Sequence, residues 1–210
     1  MLTDWDHNAW YHRLLLRQVP SGARRVLDVG CGAGTLQTRL APTVRQVDGV
    51  DRSTAMLESA ARRVPPNVML HHGDAMDVDL PAGAYDAVLS LSALHHLPLE
   101  KALPRMASWL RPGGVLAAVA LPRVDLPREL PVEVAASAVH HGLGPLFAGV
   151  RRTTSRSAFA HEATHDAMPV ADGALCTREV REHAAAVLPG VRVRRLLLWR
   201  YLLTWTKPVN

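Results

Sequence analysis

Cysteine is nearly absent: Cys31 and Cys176 are the only two in 210 residues, and no CxxC pair occurs. That excludes a disulfide scaffold and a zinc ribbon, and it suits a reducing compartment, the cytoplasm. Long apolar runs are missing too. A bilayer span needs about 18 apolar residues, and the best stretch, Gly113 to Leu121, is far shorter. No membrane partner is expected. Met1 to Asn8 carries Asp4 and Asp6 and leads into no apolar core, which argues against a secretory signal. Lysine is scarce, with only Lys101 and Lys207, so nearly all of the 24 basic residues are arginine. The net charge of +5 is not gathered into one patch. Two small clusters, Arg151, Arg152 and Arg156, then Arg192, Arg194 and Arg195, are too modest to make nucleic acid the expected partner. Internal repeats and low-complexity tracts are absent. What is present is ordinary for a globular chain, 48% hydrophobic and 20% charged, and the length fits one domain.

Elements alternate along the first half. Residues 5–19 place Trp5, Trp10, Leu14, Leu15 and Val19 at near-helical spacing, and Pro20, Ser21 and Gly22 end the helix. Apolar runs predict strands at Arg25–Val29, Gln46–Val50, Val68–His71, Tyr85–Leu91 and Val115–Leu121. Helices are expected between them: Thr35–Leu40, a helix capped by Ser53 and running to about Arg63, and Pro98–Leu110. The turn Arg111 to Gly114 stops the last of these. This alternation predicts a parallel sheet with helices on both faces and right-handed crossovers. The rhythm breaks at Pro122. The segment to Cys176 holds Pro122, Pro127, Pro131, Pro145 and Pro169 and one expected helix, Leu130–His141. It reads as a lid insertion. A helix at Thr177–Leu188 follows. Two strand-like runs, Val191–Leu198 and Tyr201–Thr206, then form an antiparallel hairpin at the sheet edge.

Four blocks carry chemistry. The first is Val26 to Gly34, a strand followed by glycines at 30, 32 and 34 and then a helix. Glycines admit close backbone approach to a ligand, and the helix start offers free N–H groups. A nicotinamide site wants G-x-G-x-x-G, and Gly34 falls one residue short of that spacing. The second is Asp51 at the end of the second strand, about twenty residues beyond the first glycine, where a carboxylate can bind both ribose hydroxyls. Asp51 serving only as a turn or helix cap is the competing reading. The third is Gly73, Asp74 and Ala75 after the third strand; Asp74 either takes a proton from an adenine amino group or makes an Asx-turn. The fourth is the strand Tyr85–Leu91 running into His95 and His96.

In this order and spacing, the four blocks and a fifth, Leu110 to Leu116, resemble the class I S-adenosylmethionine-dependent methyltransferases, nearest the small-molecule branch of ubiquinone and menaquinone biosynthesis. The resemblance covers residues 22–121 well and the closing strand Trp199 to Lys207 more loosely. It implies an α/β, Rossmann-like, doubly wound, seven-stranded and mostly parallel sheet with a C-terminal antiparallel hairpin and a lid insertion. One methyltransferase domain over residues 1–210 would hold an N-terminal lid helix (1–22), a cofactor-binding core (23–121), a substrate lid (122–176) and a C-terminal helix with its edge hairpin (177–210). The implied cofactor is S-adenosylmethionine, with S-adenosylhomocysteine as product. Gly30, Cys31 and Gly32 would contact its methionine part through backbone, and Asp28 would orient its amino group. Asp51 would bind the ribose, with Arg52 beside the adenine and Met56 packed on it. Asp74 and Ala75 would read the adenine edge. Ser90 and Leu91 would lie by the methionine portion, and Tyr11 would be a lid residue. Family members that methylate base amines carry Asp/Asn-Pro-Pro-aromatic after the fourth strand. Here that place reads Leu91 to His96, so a small-molecule acceptor is expected.

An activated methyl needs little beyond in-line positioning, and a base only if the acceptor arrives protonated. His95 and His96 are the candidate catalytic residues, since histidine titrates near neutrality. His140 and His141 are weaker candidates. His161, Glu162 and His165 match H-E-x-x-H, but no third ligand or long helix accompanies them, so no metal is expected. Two competing functions remain: a methyltransferase-like protein that holds the cofactor without transferring a methyl, as a cyclase or binding module, and a nicotinamide oxidoreductase.

Overall fold

A computed structural model describes residues 7–126, 129–132, 134–139, 141–142 and 173–209. Its first helix, α1 (His7–Leu16), ends earlier than the apolar spacing predicts, because the chain tightens at Gln18, whose N–H bonds to the Leu15 carbonyl. Strands β1 (Arg25–Val29), β2 (Gln46–Asp51), β3 (Val68–His72) and β4 (Tyr85–Leu91) alternate with α2 (Thr35–Leu40) and α3 (Thr54–Ala61). Ser53 caps α3 as expected, its side chain accepting from the Met56 N–H. A 3-10 turn, Leu94–His96, leads to α4 (Leu99–Trp109), β5 (Leu110–Ala120), α5 (Thr177–Val187), β6 (Arg192–Leu196) and β7 (Arg200–Thr206). Residues 130–132 and 134–139 are helical, in line with the helix read inside the insertion.

The seven strands lie in the order β3-β2-β1-β4-β5-β7-β6. The pairs among β1 to β5 are parallel, and β7 is antiparallel to both β5 and β6. The hairpin therefore sits at the edge as predicted. Arginines along the outermost strand, β6, blunt it against further pairing.

One expectation needs correction. β5 does not wait for Val115 but begins at Leu110, directly at the end of α4. Tyr85 pairs with Leu110 and Ala87 with Val115, so residues 111–114 bulge from the β4 side. The bulge is held by long-range partners: Gly113 and Gly114 exchange backbone hydrogen bonds with Lys207, and Arg111 forms an ion pair with Asp86 at 2.6 Å.

Successive strand residues face opposite layers. Leu27, Val88, Leu116 and Leu203 pack with α4 and α5. Val26, Val47, Ala87, Ala117 and Leu202 pack with α1 and α2. Asp48, fully buried on β2, accepts from Arg25 on β1 at 2.7 Å and pairs with His71 on β3 at 2.9 Å. Arg25 in turn stacks over the Tyr85 ring of β4, 4.8 Å from its centroid. One carboxylate thus cross-links four neighbouring strands.

The strand order reverses between β1 and β4, so the loops leaving their carboxyl ends diverge. In open α/β sheets that crevice is where ligands bind.

Candidate functional site

A cavity opens at this crevice. Its floor is the loop after β1, and its walls are the segments after β2, β3 and β4. Gly30 makes the first turn with φ of 74°, and a Cβ there would lie 2.2 Å from that of Ala93. Only glycine lets the loop pass beneath the chain leaving β4. The Gly30 and Cys31 N–H groups bond to the Val50 carbonyl, tying the loop to β2.

Three carboxylates border the cavity: Asp28 on β1, Asp51 at the end of β2 and Asp74 in the turn after β3. Asp51 is partly committed to the fold: it accepts the Gly32 N–H and the Ser53 N–H, each at 2.8 Å. The cap reading and the ligand reading of Asp51 are therefore compatible, since one carboxylate has further lone pairs to offer. Asp74 likewise makes the Asx-turn, accepting the Met76 N–H at 2.8 Å, while still lining the cavity. Asp28 differs. It is almost fully buried, and its Oδ1 has no hydrogen-bond partner among the described residues. A buried carboxyl oxygen left so is costly unless the group is protonated or meets a cation. Burial, and then the charge of Asp51, push the Asp28 carboxyl from 3.8 up to about 8.

A carboxyl raised in the native state holds a proton that the unfolded chain has already released. Its contribution to stability is therefore lost as pH climbs from about 4 to about 8. Asp28→Asn is expected to remove that part of the slope in the ligand-free protein. Its melting temperature should overtake that of the unsubstituted chain on the alkaline side. Melting curves from about pH 5 to about pH 9 check this, and superimposable pH profiles would contradict it.

Gly30, Cys31, Gly32, Asp28, Asp51, Arg52, Met56, Asp74, Ala75 and Leu91 all line the cavity, as does His96. Burial, followed by the negative charges of Asp28 and Asp51, pushes the Cys31 thiol far up, which keeps it unreactive. Three sequence candidates lie elsewhere. Tyr11 is buried in the core on the α1 side of the sheet, and its hydroxyl bonds to the Leu197 carbonyl. The α1 residues that reach the cavity are Asn8 and His12, one helical turn apart. Their i, i+4 spacing was the signal for that face, and Tyr11 sits one position out of phase. Ser90 is fully buried within the sheet and donates to the Val29 carbonyl at 3.0 Å. The chain beyond Leu91 supplies the lining instead, through Ser92 and Ala93. The 3-10 turn also splits the histidine pair. His96 faces the first cavity, where burial and then the Arg52 charge lower its pKa. His95 lines a second cavity with Leu99, Leu121, Leu175 and Tyr201, although the two rings remain 4.0 Å apart.

Asn8 also closes a junction. Its Oδ1 accepts from Ser92 Oγ at 2.7 Å and from Arg200 Nη2 at 3.2 Å. Ser92 lies in the left-handed region with φ of 55°. So do Leu198 and Trp199, whose carbonyls accept from Arg200 Nη1. Every non-glycine residue with positive φ among the described residues thus belongs to the two segments that Asn8 joins, a concentration of strain typical of functional sites.

His161, Glu162, His165 and His140 lie outside the described residues, as does the cluster Arg151, Arg152 and Arg156. Among the described residues no His, Cys, Asp or Glu group could hold a metal. No helix among them is long and apolar enough to cross a membrane.

Known proteins share this sequence pattern and this fold. Residues 26–114 match the model of a methyltransferase domain family. An uncharacterized methyltransferase of Mycobacterium tuberculosis is 35% identical over 207 residues, 98% of each chain. An aminosugar N,N-dimethyltransferase of Streptomyces fradiae, acting on dTDP-3-amino-3,6-dideoxy-alpha-D-glucopyranose, is 35% identical over 116 residues, covering 50% of this chain and 45% of that one. The solved structure of the N-methyltransferase NodS from Bradyrhizobium japonicum, in complex with S-adenosylhomocysteine, superimposes with a TM-score of 0.62 at 16% identity. It covers 98% of this chain and 90% of that one.

Proposed function

The chain belongs to the class I S-adenosylmethionine-dependent methyltransferases, and on that premise we propose that it methylates a small-molecule metabolite. The observation that carries this reading is the cavity itself, where three strand-end carboxylates surround a glycine loop at the point of strand reversal. The residues present fit the cofactor. The unpartnered Oδ1 of Asp28 is matched by a primary ammonium, the remaining lone pairs of Asp51 by ribose hydroxyls, and Asp74 with Ala75 by an adenine edge. When bound, S-adenosylmethionine supplies a methyl already activated on a sulfonium. The protein's work is then binding, alignment and exclusion of water, and alignment alone lowers a displacement barrier by about 7–11 kcal/mol.

A general base is assigned to His96. Burial and the nearby Arg52 charge hold its imidazole below its usual pKa, hence neutral near pH 7 and able to accept a proton from the acceptor. His95 is assigned to the acceptor side. A small acceptor is supported by the lack of a Pro-Pro-aromatic motif after β4 and by the aminosugar substrate in the name of the Streptomyces fradiae relative. Residues 122–176, most of which lie outside the described residues, are assigned to recognition of that acceptor. No nucleic acid or membrane is needed as partner. The two buried free thiols, Cys31 and Cys176, suit the cytoplasm.

The cofactor part is tested by melting with and without S-adenosylhomocysteine. Ligand at a hundred times its dissociation constant adds about 2.7 kcal/mol. For a chain of this length the midpoint should rise by about 5–11 °C, while NAD should leave it unmoved. No rise with the sulfur ligand would count against the assignment of the cavity. Release of S-adenosylhomocysteine in step with acceptor conversion separates methyl transfer from a cofactor-holding cyclase.

A further inference from the structure

The turn that carries Asp74 and Ala75 is built almost wholly from its own backbone. The Met76 N–H bonds to Asp74 Oδ1 at 2.8 Å. The Asp77 and Val78 N–H groups bond to the Asp74 carbonyl, and Gly73 N–H reaches the Asp51 carbonyl. These bonds spend one Asp74 oxygen on the turn and leave Oδ2 with no described partner. One side chain holds the turn from a distant element. Arg105, on α4 and outside the cavity, donates through Nε to the Ala75 carbonyl at 2.7 Å and through Nη2 to the Val78 carbonyl at 2.6 Å. The two carbonyls are three residues apart and must point the same way to meet one planar fork, which a lysine ammonium cannot reproduce. The guanidinium is backed by the buried Trp109 ring, 5.4 Å from its centroid and one turn further along α4.

We propose that Arg105 is a positioning residue for recognition of the cofactor's base: by fixing the Ala75 and Val78 carbonyls it sets the orientation in which Asp74 Oδ2 and the Ala75 N–H meet the adenine edge. Turning the Ala75 carbonyl outward onto Arg105 keeps an acceptor away from the cavity wall. The wall then presents a carboxylate to an amino group, and an amino donor is preferred over an oxo group at that place. The proposal rests on the reading of Asp74 and Ala75 as base-facing, and its test separates the two.

The experiment is calorimetric titration of the full chain with S-adenosylhomocysteine and with its inosine analogue, in which oxygen replaces the amino group. The unsubstituted protein is expected to prefer the amino ligand at least about tenfold, one good hydrogen bond's worth. Asp74→Ala should cut that preference, leaving only the share owed to the Ala75 N–H, because the oxo analogue also turns the neighbouring ring nitrogen from acceptor to donor. If the preference is unchanged, or if the unsubstituted protein shows none, the base-facing reading fails and the proposal with it. Given that loss, Arg105→Met should also collapse the preference, chiefly by weakening the amino ligand. Arg105→Lys, which keeps the charge but not the fork, should fall between. A role confined to stability would lower the melting temperature of both variants and leave the ratio of the two affinities intact; that result overturns the proposal. Full preference in Arg105→Lys overturns the fork argument even if Arg105→Met fails to fold.

Discussion

Asp51→Ala is expected to abolish useful cofactor binding while leaving a folded protein. Two roles are lost at once. The alanine cannot accept from a ribose, and it also releases the Gly32 and Ser53 N–H groups that fix the glycine loop and the start of α3. Hydrogen bonds to a charged group contribute about 1.5–3 kcal/mol each, so losing two from a ribose weakens binding by about 100-fold or more. The core barely feels the change, because the side chain lies at a strand end and α3 retains its Ser53 cap. Titration with S-adenosylhomocysteine should show that loss beside an unfolding transition that stays cooperative. Asp51→Asn, which keeps one acceptor oxygen, should lose less. Equal affinities for the alanine variant and the unsubstituted protein would leave Asp51 a cap and nothing more.

Asp48→Ala is expected to have the largest effect on stability. Burial works against the Asp48 charge, but the hydrogen bonds from Arg25 and His71 outweigh it and hold its carboxyl below the usual range. Removing one partner of a buried ion pair costs about 3–5 kcal/mol. The Arg25 side chain keeps 28% exposure and can turn toward water, so the lower end applies. About 3 kcal/mol corresponds to a fall of about 6–12 °C in melting temperature. The pH dependence has a definite sign: a depressed carboxyl stabilises above its unfolded pKa, and that contribution disappears as pH falls through its folded value. The unsubstituted protein should therefore lose its advantage over Asp48→Ala in acid. Melting curves that coincide near neutrality would show that the cross-link carries no net stability.

Where local chemistry dominates, the sequence is a good guide. β1 and β4 begin and end at the residues their apolar runs mark, since strands buried on both faces admit little else. Ser53 announces α3 by its capping chemistry, and the spacing of Gly30, Asp51 and Asp74 brings one cavity together. The misses come from phase and distance. Tyr11 and His12 are adjacent in sequence, but about 100° per residue on a helix puts Tyr11 into the core and His12 at the cavity. Ser90 and Leu91 alternate in direction, as strand residues must. The early start of β5 depends on Lys207, and the Ala75 carbonyl depends on Arg105; neither dependence leaves a mark in the local pattern.

The junction at Asn8 also fixes an order of assembly. Asn8 and Arg200 stand 192 positions apart, and Tyr11 reaches Leu197 across 186. The glycine loop and the three carboxylates need only strands within residues 25–74, whereas the wall formed by α1 needs β7. Contacts of such sequence separation close late, after the entropy of joining distant segments has been met. A growing chain therefore acquires the floor of its binding site early and the wall last. Until β7 pairs with β5, α1 can rest on β4 and β5 but lacks the Asn8–Arg200 and Tyr11–Leu197 bonds that fix it in place.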